Sequence, residues 1–132
     1  MIVIDTSAIV AILTDEDDAH KYFDAMLDNE PVLLSAASLV EAGIVMNRRH
    51  VSGGIDRVKN LVREANIDVV DVTVEHAHLA LSAFQEFGKG TGAKAQLNFG
   101  DCFSYALAKA THSRLLFKGE DFQHTDLETV LG

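Results

Sequence analysis

The stretch Met1-Ile2-Val3-Ile4-Asp5-Thr6-Ser7-Ala8 opens the chain with an apolar run that stops at a carboxylate. Because residues 1–4 are apolar throughout rather than alternating, they predict a strand that is buried on both faces, as in a parallel sheet. Thr6 or Ser7 can cap a helix that continues to about Leu13. The opening therefore predicts one strand and one helix of an α/β fold, with an acid at their junction.

Strands and amphipathic helices alternate along the rest of the sequence. Short apolar runs predict further strands at residues 32–34, 67–72 and 114–118. The helical spacing of apolar residues, together with caps and breaks, predicts helices at about 15–27, 35–50, 54–65, 73–87 and 101–111. Strands that alternate with helices indicate an α/β sandwich with a mainly parallel central sheet.

Two segments in the second half of the chain carry more specific expectations. The helix over 73–87 is expected to present an inward apolar face formed by Ala77, Ala80, Leu81, Phe84 and Phe87. Residues 89–98 are rich in glycine, lysine and alanine, which is typical of a mobile surface loop.

The length and composition are those of a globular protein with a substantial core. The chain has 132 residues, of which 48% are hydrophobic and 23% charged, and we expect a single domain over residues 1–132. No apolar run reaches the ~20 residues that a membrane span needs, and no basic stretch precedes the N-terminal apolar segment, so we expect a cytoplasmic protein with no membrane partner. The single cysteine, Cys102, is expected to be buried apolar filler rather than a nucleophile.

The charge balance is strongly acidic. Twenty acidic residues against eleven basic ones give a formal net charge of −9. Taken alone, this argues against a nucleic acid partner, because phosphate contacts usually need a basic surface, although it can equally reflect a solvated acidic exterior. A group of carboxylates that acts only together with a divalent metal ion would weaken the objection.

Four acids lie at or near predicted strand ends and helix starts: Asp5, Glu41, Asp101 and Asp121. In an open α/β sheet the ligand crevice lies at the carboxyl ends of the strands, so these side chains can meet there. Their like-charge repulsion would be costly unless a cation neutralised it, and magnesium takes oxygen ligands while keeping several waters. Such an ion can activate water and stabilise charge on a phosphate, which indicates phosphodiester hydrolysis.

Glu41 and Asp101 also have structural explanations. Ser38 and Glu41 are spaced as a capping box, although Ser35 lies closer to the strand end and is the better cap. Asp101 stands three residues after Asn98 and can be a helix-start acid that the helix dipole favours.

The remaining two acids are open to similar alternatives. Asp5 can itself be an N-cap, although the polar pair Thr6-Ser7 already supplies one. Asp121 has Glu120 and Asp126 as nearby substitutes. None of the four acids is diagnostic alone.

Four segments carry a pattern that spans nearly the whole chain: Met1-Ile2-Val3-Ile4-Asp5-Thr6-Ser7-Ala8, Ser38-Leu39-Val40-Glu41-Ala42, Phe99-Gly100-Asp101-Cys102-Phe103-Ser104-Tyr105-Ala106-Leu107-Ala108, and Leu115-Leu116-Phe117-Lys118-Gly119-Glu120-Asp121-Phe122 followed by Thr125-Asp126. In this order and spacing they resemble the PIN-domain family, and its VapC branch in particular. The combination is highly specific although each piece is weak.

The resemblance implies a PIN-like three-layer α/β/α sandwich and a metal-dependent endoribonuclease that acts as the toxin of a two-protein operon. In the family, the acids that match Asp5, Glu41, Asp101 and Asp121 form the metal site, and Ser7 lies beside it. Asp5 and Asp101 are the first expected ligands. The other two acids bind the metal directly, bind it through water, or position the attacking water. Mg²⁺ is the expected ion, with Mn²⁺ as a possible substitute.

One departure from the family pattern concerns the fourth ligand. Many relatives carry Thr-x-Asp-x-Asp-Phe after the last strand, where this chain has Phe117-Lys118-Gly119-Glu120-Asp121-Phe122. A single aspartate therefore stands in this segment, and the identity of the fourth ligand stays open.

The resemblance also implies partners. VapC-like proteins are typically homodimers that a VapB antitoxin neutralises by filling the active-site groove, and a basic antitoxin arm would suit an acidic groove. RNA is the implied substrate. Its expected phosphate contacts, each of which ordinary solvated surface explains equally well, are Lys89, Lys94, Arg48 and Arg49.

Other classes of protein fit less well. A signalling receiver domain shares the length, the parallel sheet, an acid after the first strand and a late lysine, here Lys118. It would need an adjacent acidic pair after that strand, its candidate phosphoacceptor Asp71 lies inside an apolar run, and it leaves Glu41 and Asp101 without a role. A haloacid-dehalogenase-type phosphatase would need a second aspartate where Ser7 stands. A catalytically inactive PIN-like fold that serves as a binding protein is the third possibility.

Overall fold

The sheet is built around the apolar opening strand. A computed structural model describes residues 1–28 and 30–131, and within them four parallel strands lie in the order β3-β2-β1-β4. The strands are β1 (Ile2–Ile4), β2 (Val32–Ser35), β3 (Asp68–Val70) and β4 (Arg114–Leu116). The helices are α1 (Thr6–Leu13), α2 (Ala19–Met26), α3 (Ala36–Arg48), α4 (Gly54–Glu64), α5 (Val74–Phe87) and α6 (Phe99–Thr111).

Strand β1 is enclosed on all sides. Its register pairs Val3 with Leu33 of β2 on one edge and Ile4 with Leu116 of β4 on the other. None of its three residues is more than 1% exposed. A strand with both edges paired and both faces covered has no place for an outward polar residue, which is why its sequence is apolar throughout. The prediction made from the opening stretch is confirmed.

Two helical layers cover the two faces of the sheet. Side chains alternate across a strand, so Ile2 and Ile4 point to one face and Val3 to the other. The first face forms an apolar core with α1, α2, α3 and α4, and the second forms a separate core with α5 and α6. The expected three-layer α/β/α sandwich with a parallel central sheet is confirmed.

Two boundaries differ from the expectations. Strand β3 is shorter than the predicted 67–72, and it is an edge strand that leaves Asp68 and Val69 exposed. Helix α6 begins at Phe99 rather than at Asp101, because the Asn98 side chain caps it two residues earlier.

The segment 89–98 is held at both ends rather than free. The Lys89 amide donates to the Leu97 carbonyl, and the Leu97 amide donates to the Phe87 carbonyl, each at 2.8 Å. Ala95 and Leu97 are buried in the core beneath α5 and α6. The expectation of a mobile surface loop is therefore wrong for the second half of this segment, since those residues serve the core.

The outward face of α5 was also mispredicted. Ala80 and Phe87 face the core as expected, together with Leu79 and Ala83, and the two alanines let α5 pack against α6. Leu81 is 66% exposed and Phe84 is exposed as well. The inward prediction is therefore wrong for Ala77, Leu81 and Phe84, because helical spacing alone does not say which of two adjoining stripes faces the core.

Two simpler expectations concern the cysteine and the membrane. Cys102 is buried, and burial raises the pKa of its thiol to about 11, with the charge of Asp101 adding to the effect, which suits a filler role. In the described part of the chain, no helix has both the length and the apolar character to cross a bilayer. The cytoplasmic location stays a prediction.

Replacing Ile4 with alanine tests the central role of β1. This side chain is fully buried, and its truncation is expected to lower the free energy of unfolding by about 2–5 kcal/mol. Leu27→Ala removes the same number of carbon atoms from a side chain that is 53% exposed, and is expected to cost about 0.5 kcal/mol or less. Urea unfolding of both variants measures the difference, and equal losses would contradict the central burial of β1.

Candidate active site

All four acids singled out from the sequence line one cleft at the carboxyl ends of β1, β2 and β4. The cleft has a volume of about 340 Å³. Ser7 and Asn98 also line it. Its charged lining residues are of two kinds. The acids are Asp5, Glu16, Glu41, Asp101 and Asp121, and the basic residues are Arg49 and Lys118. The local excess of carboxylates agrees with the overall acidity of the chain.

Asp5 lies at the junction of β1 and α1 and is 3% exposed. Its Oδ2 accepts hydrogen bonds from the Ser7 amide at 3.0 Å and the Ser7 hydroxyl at 2.7 Å, and its Oδ1 accepts one from the Ser104 hydroxyl at 2.5 Å. Asp5 is therefore the N-cap of α1, and the expectation that Thr6 or Ser7 supplies this cap is wrong. The Asp5 carboxylate therefore both caps α1 and lines the cleft.

Lys118 is a cleft residue that the sequence analysis did not include in the site. Its backbone amide donates to the Ser7 hydroxyl at 2.9 Å, so the segment after β4 fixes the serine that holds Asp5. Its ammonium pairs with Asp18 at 2.9 Å and with Glu16 at 3.4 Å. The side chain thus reaches the acids before α2, at the rim of the cleft. Its position two residues after β4, at the carboxyl edge of the sheet, was the signal that could have identified it.

Asp101 lies in the first turn of α6 and forms a reciprocal capping box with Asn98. The Asn98 side chain accepts from the Asp101 amide at 2.9 Å, and the Asp101 carboxylate accepts from the Asn98 amide at 3.0 Å. Burial raises the pKa of Asp101 to about 7, and the charges of Asp5, Asp121 and Glu41 add to the effect, while the hydrogen bond from Asn98 opposes it. The helix-start role expected for this acid and its place in the cleft are both observed.

Glu41 projects from α3 toward the start of α6. The helix is capped by Ser35, so Glu41 is not needed as a capping-box partner, as expected. Burial raises the pKa of Glu41, and the nearby charge of Asp5 raises it further. A Cβ atom built on Gly100 would overlap the Glu41 carboxylate and lie 2.5 Å from its carboxyl carbon. Gly100 therefore provides the space that the carboxylate fills, a role that the sequence analysis missed.

Of the acids that follow β4, Asp121 is the one that lines the cleft. It lies in an exposed turn. Asp126 is engaged elsewhere, since it accepts a hydrogen bond from the Tyr105 hydroxyl at 2.5 Å and pairs with Lys109. Glu120 is exposed and is not part of the lining. The geometry thus favours Asp121 over its two possible substitutes.

The donor set suits a hard divalent cation, although it is not assembled as a ligand cage. Carboxylate oxygens are the ligands that Mg²⁺ and Ca²⁺ prefer. Burial and, to a smaller extent, the charges of neighbouring acids raise the pKa values of Asp101 and Glu41, and a cation would offset that like-charge repulsion. Within residues 1–28 and 30–131, no three histidine, cysteine, aspartate or glutamate side chains stand close enough to hold a metal ion. The Asp5 and Asp101 carboxylates accept hydrogen bonds from the starts of α1 and α6.

The expected phosphate contacts are only partly gathered. Arg49, at the end of α3, lines the cleft. Arg48, Lys89 and Lys94 are exposed and lie outside its lining. Asp71, which a receiver domain would phosphorylate, is exposed after the edge strand β3 and is also outside the cleft.

A second hollow, which we call the α5–α6 hollow, lies on the outer face of the second helical layer. It has a volume of about 510 Å³. Its lining is apolar throughout and consists of Ala77, Ala80, Leu81, Phe84, Phe99, Cys102 and Phe103. Phe99 is 79% exposed and packs edge-on against Phe103, with ring centroids 5.0 Å apart. The lining of the α5–α6 hollow includes no charged side chain.

Comparison of the sequence with known families and proteins gives full-length matches. The family model for the PIN domain matches residues 2–128. Ribonuclease VapC28 of Mycobacterium tuberculosis is 47% identical over 132 residues, which cover 98% of this chain and 97% of that protein. Ribonuclease VapC of Mycolicibacterium smegmatis is 44% identical over 128 residues, which cover 97% of this chain and 98% of that protein.

Solved structures with the same fold are more distant in sequence. The sarcin-ricin-loop-cleaving toxin VapC20 of Mycobacterium tuberculosis matches with a TM-score of 0.73 at 18% identity, over 96% of both chains. VapBC2 from Rickettsia felis, solved bound to a DNA fragment from its promoter, matches with a TM-score of 0.69 at 15% identity. That match covers 98% of this chain and 97% of the other. These likenesses show that the architecture is shared.

The raised pKa of Asp101 predicts how the metal-free protein responds to pH. The folded state holds the Asp101 proton with a pKa of about 7, whereas the unfolded chain releases it near 3.8. The folded state therefore binds more protons between these values, and its free energy of unfolding is expected to fall as the pH rises from about 4 to about 7. Urea unfolding in a chelator at several pH values measures this slope.

Two variants make the assignment specific. Asp101→Asn removes the titrating group and keeps an oxygen that can accept from Asn98, so most of the slope should disappear. Asp24→Asn changes an exposed acid of α2 and should keep the wild-type slope. A wild-type stability that is flat or rises over this pH range would show that Asp101 is not held protonated by its surroundings.

Proposed function

The chain belongs to the PIN-domain family, and we propose that it is the endoribonuclease toxin of a VapBC-type toxin–antitoxin pair, which hydrolyses RNA phosphodiester bonds with the help of a divalent metal ion. The observation that carries this proposal is the cleft at the carboxyl edge of the sheet that Asp5, Glu41, Asp101 and Asp121 all line. Full-length identity of 47% to a ribonuclease supports it further.

We assign Asp5 and Asp101 as the first metal ligands, and Glu41 and Asp121 as groups that bind the ion directly, bind it through water, or orient the attacking water. Mg²⁺ fits best, with Mn²⁺ as a substitute, because it prefers carboxylate oxygens and keeps several waters. When bound, the ion would lower the pKa of a water molecule and stabilise charge on the phosphate. The pKa values of Asp101 and Glu41 are raised by burial and also by neighbouring acids, and this second contribution supports the assignment, since a cation would offset it.

The other cleft residues hold these acids and the substrate. Ser7, fixed by the Lys118 amide, keeps the Asp5 carboxylate at the start of α1. Gly100 leaves room for Glu41 beside Asp101. Arg49 is the proposed contact to the RNA backbone within the cleft, because its guanidinium can bind a phosphate with two hydrogen bonds.

The partner proposed for the cleft is a VapB-type antitoxin. Five acids against two basic residues make the cleft lining acidic, so a basic antitoxin segment would be attracted to it. The VapBC2 structure from Rickettsia felis, which shares the fold, contains a complex of this type. The same acidity would disfavour RNA until a divalent cation had neutralised part of it.

The α5–α6 hollow is proposed as the contact with a second copy of the chain. Exposed apolar side chains are common singly, but a contiguous apolar patch marks an association surface. Leu81, Phe84 and Phe99 form such a patch around the hollow. A twofold contact would bury these side chains on both copies.

Cleavage of RNA tests the enzymatic proposal. Purified protein, freed of antitoxin, is expected to cut total cellular RNA in millimolar Mg²⁺ and to stop when a chelator is added. Asp5→Asn is expected to slow cleavage by about 100-fold or more, because metal-ion catalysis contributes several kcal/mol and about 1.36 kcal/mol is tenfold in rate. Gel analysis of the fragments gives the rates.

The matched control is Asp24→Asn, which removes one negative charge from the exposed surface of α2 and should cleave like the wild type. Activity that persists in chelator would contradict the metal mechanism. A folded wild-type protein that cleaves nothing with any divalent metal would favour the alternative of an inactive PIN-fold binding protein.

Light scattering after gel filtration tests the homodimer. The wild-type protein is expected to elute as a dimer, and Leu81→Asp to elute as a monomer, because it places a charge in the α5–α6 hollow. Leu27→Asp changes another exposed leucine, outside the hollow, and should remain dimeric. A monomeric wild type, or a dimer that survives Leu81→Asp, would rule out this contact.

A further inference from the structure

We propose that Ser104 is a positioning residue whose hydroxyl fixes the Asp5 carboxylate in its metal-binding orientation and so sets the metal affinity of the cleft. The inference rests on the proposed function, since it takes Asp5 to be a metal ligand. Ser104 has no role in the site expected from the sequence or in the proposed assignment of ligands.

The direction of the Ser104 hydroxyl is the first observation. Serine and threonine inside a helix commonly donate to the carbonyl four residues earlier. Thr111, the last residue of α6, does so here, to the Leu107 carbonyl at 2.7 Å, and Thr14, the C-cap of α1, bonds the Val10 carbonyl at the same distance. Ser104, which is fully buried in α6, instead donates to Asp5 Oδ1 at 2.5 Å, across 99 positions of the chain. Its hydroxyl therefore serves the cleft rather than its own helix.

A second buried hydroxyl supports this direction. Ser38 of α3 lies with its Oγ 3.3 Å from the Oγ of Ser104. A hydroxyl has one proton and an ionised carboxylate has none, so the Ser104 proton goes to Asp5 and Ser38 donates to Ser104. The resulting chain of hydrogen bonds runs from α3 through α6 to the end of β1, and it opposes rotation of the Ser104 hydroxyl away from Asp5.

The hydrogen bonds that Asp5 accepts determine which of its two oxygens remains available to a metal ion. A carboxylate has about four such positions, two on each oxygen. In the part of the chain that the structure describes, three donors reach it: the Ser7 amide and hydroxyl on Oδ2, and the Ser104 hydroxyl on Oδ1. The remaining position is on Oδ1, the oxygen that Ser104 holds. Ser104 thus determines where the oxygen available to a metal ion points.

The place of Ser104 on α6 links the two first ligands. It stands three residues after Asp101, and residues with this spacing lie on the same side of a helix. One turn of α6 therefore carries the Asp101 ligand and the hydroxyl that orients Asp5. Any shift of this turn would move the Asp101 carboxylate and the Ser104 hydroxyl together, so the separation between these two side chains would stay the same.

Binding of Mn²⁺ to the full-length protein, followed by electron paramagnetic resonance of the free ion, tests the proposal. Ser104→Ala is expected to weaken Mn²⁺ binding by about 10- to 100-fold, the usual effect of removing a hydrogen-bond partner of a ligand. Ser113→Ala is the matched control, because Ser113 is a buried serine that bonds Thr111 at the opposite end of β4. It should bind Mn²⁺ like the wild type.

Cleavage as a function of Mn²⁺ concentration gives a second readout. The concentration for half-maximal cleavage by Ser104→Ala should rise by the same factor as its dissociation constant, whereas most of the maximal rate should return at saturating metal. A general loss of structure would instead lower the maximal rate and the melting temperature together. If Ser104→Ala does not fold, Ser38→Ala replaces it and should weaken Mn²⁺ binding by less than about 10-fold.

The outcomes separate this inference from the function on which it rests. Wild-type affinity in Ser104→Ala, or in Ser38→Ala where that variant replaces it, would overturn the positioning role while leaving the nuclease intact. An equal loss in Ser113→Ala would overturn it too, since buried serines in general would then be responsible. Absence of Mn²⁺ binding and of cleavage in the wild type would overturn the proposed function itself.

Discussion

Burial of the Asp5 carboxylate at the end of a fully enclosed strand is the constraint on which the rest of the site depends. Moving a charge out of water costs several kcal/mol unless hydrogen bonds or an opposite charge compensate. Three donors supply the hydrogen bonds, two from Ser7 at the start of α1 and one from Ser104 on α6, and the Lys118 amide after β4 holds Ser7 in turn. The contacts that stabilise this one group thus bring three distant segments together and shape the cleft.

Features that depend on residues close together in the sequence, such as buried strands and helix caps, could be predicted from the sequence. The apolar run of β1 requires burial on both faces, and Ser35 follows a strand at the point where a helix needs a cap. The acids of the cleft were identified for a related reason, since the ends of parallel strands lie along one edge. The cap of α1 was assigned to the wrong residue because Asp5 and its two polar neighbours all suit the position, and only the backbone angles decide between them.

Contacts between distant segments could not be predicted in the same way. Nothing near Ser104 in the sequence indicates that its hydroxyl bonds a residue 99 positions away, and nothing near Gly100 indicates that a glutamate from α3 fills the space beside it. The outward face of α5 was missed for another reason. Ala80 and Ala83 pack α5 closely against α6, while Leu81 and Phe84 remain exposed. Side-chain size at the contact between the helices determines which face of α5 is buried, and the spacing of apolar residues does not show this.

The pairing of β1 with β4 has a consequence for the time at which activity appears during synthesis. Strand β1, which is synthesised first, pairs with β4, which is synthesised after the other three strands. The Asp5 amide donates to the Leu116 carbonyl, and the Lys118 amide donates to the Ser7 hydroxyl. A nascent chain cannot complete the cleft until residues 114–118 have left the ribosome, which is long after Asp5 has emerged. The cleft therefore stays incomplete while the residues between β1 and β4 are being translated.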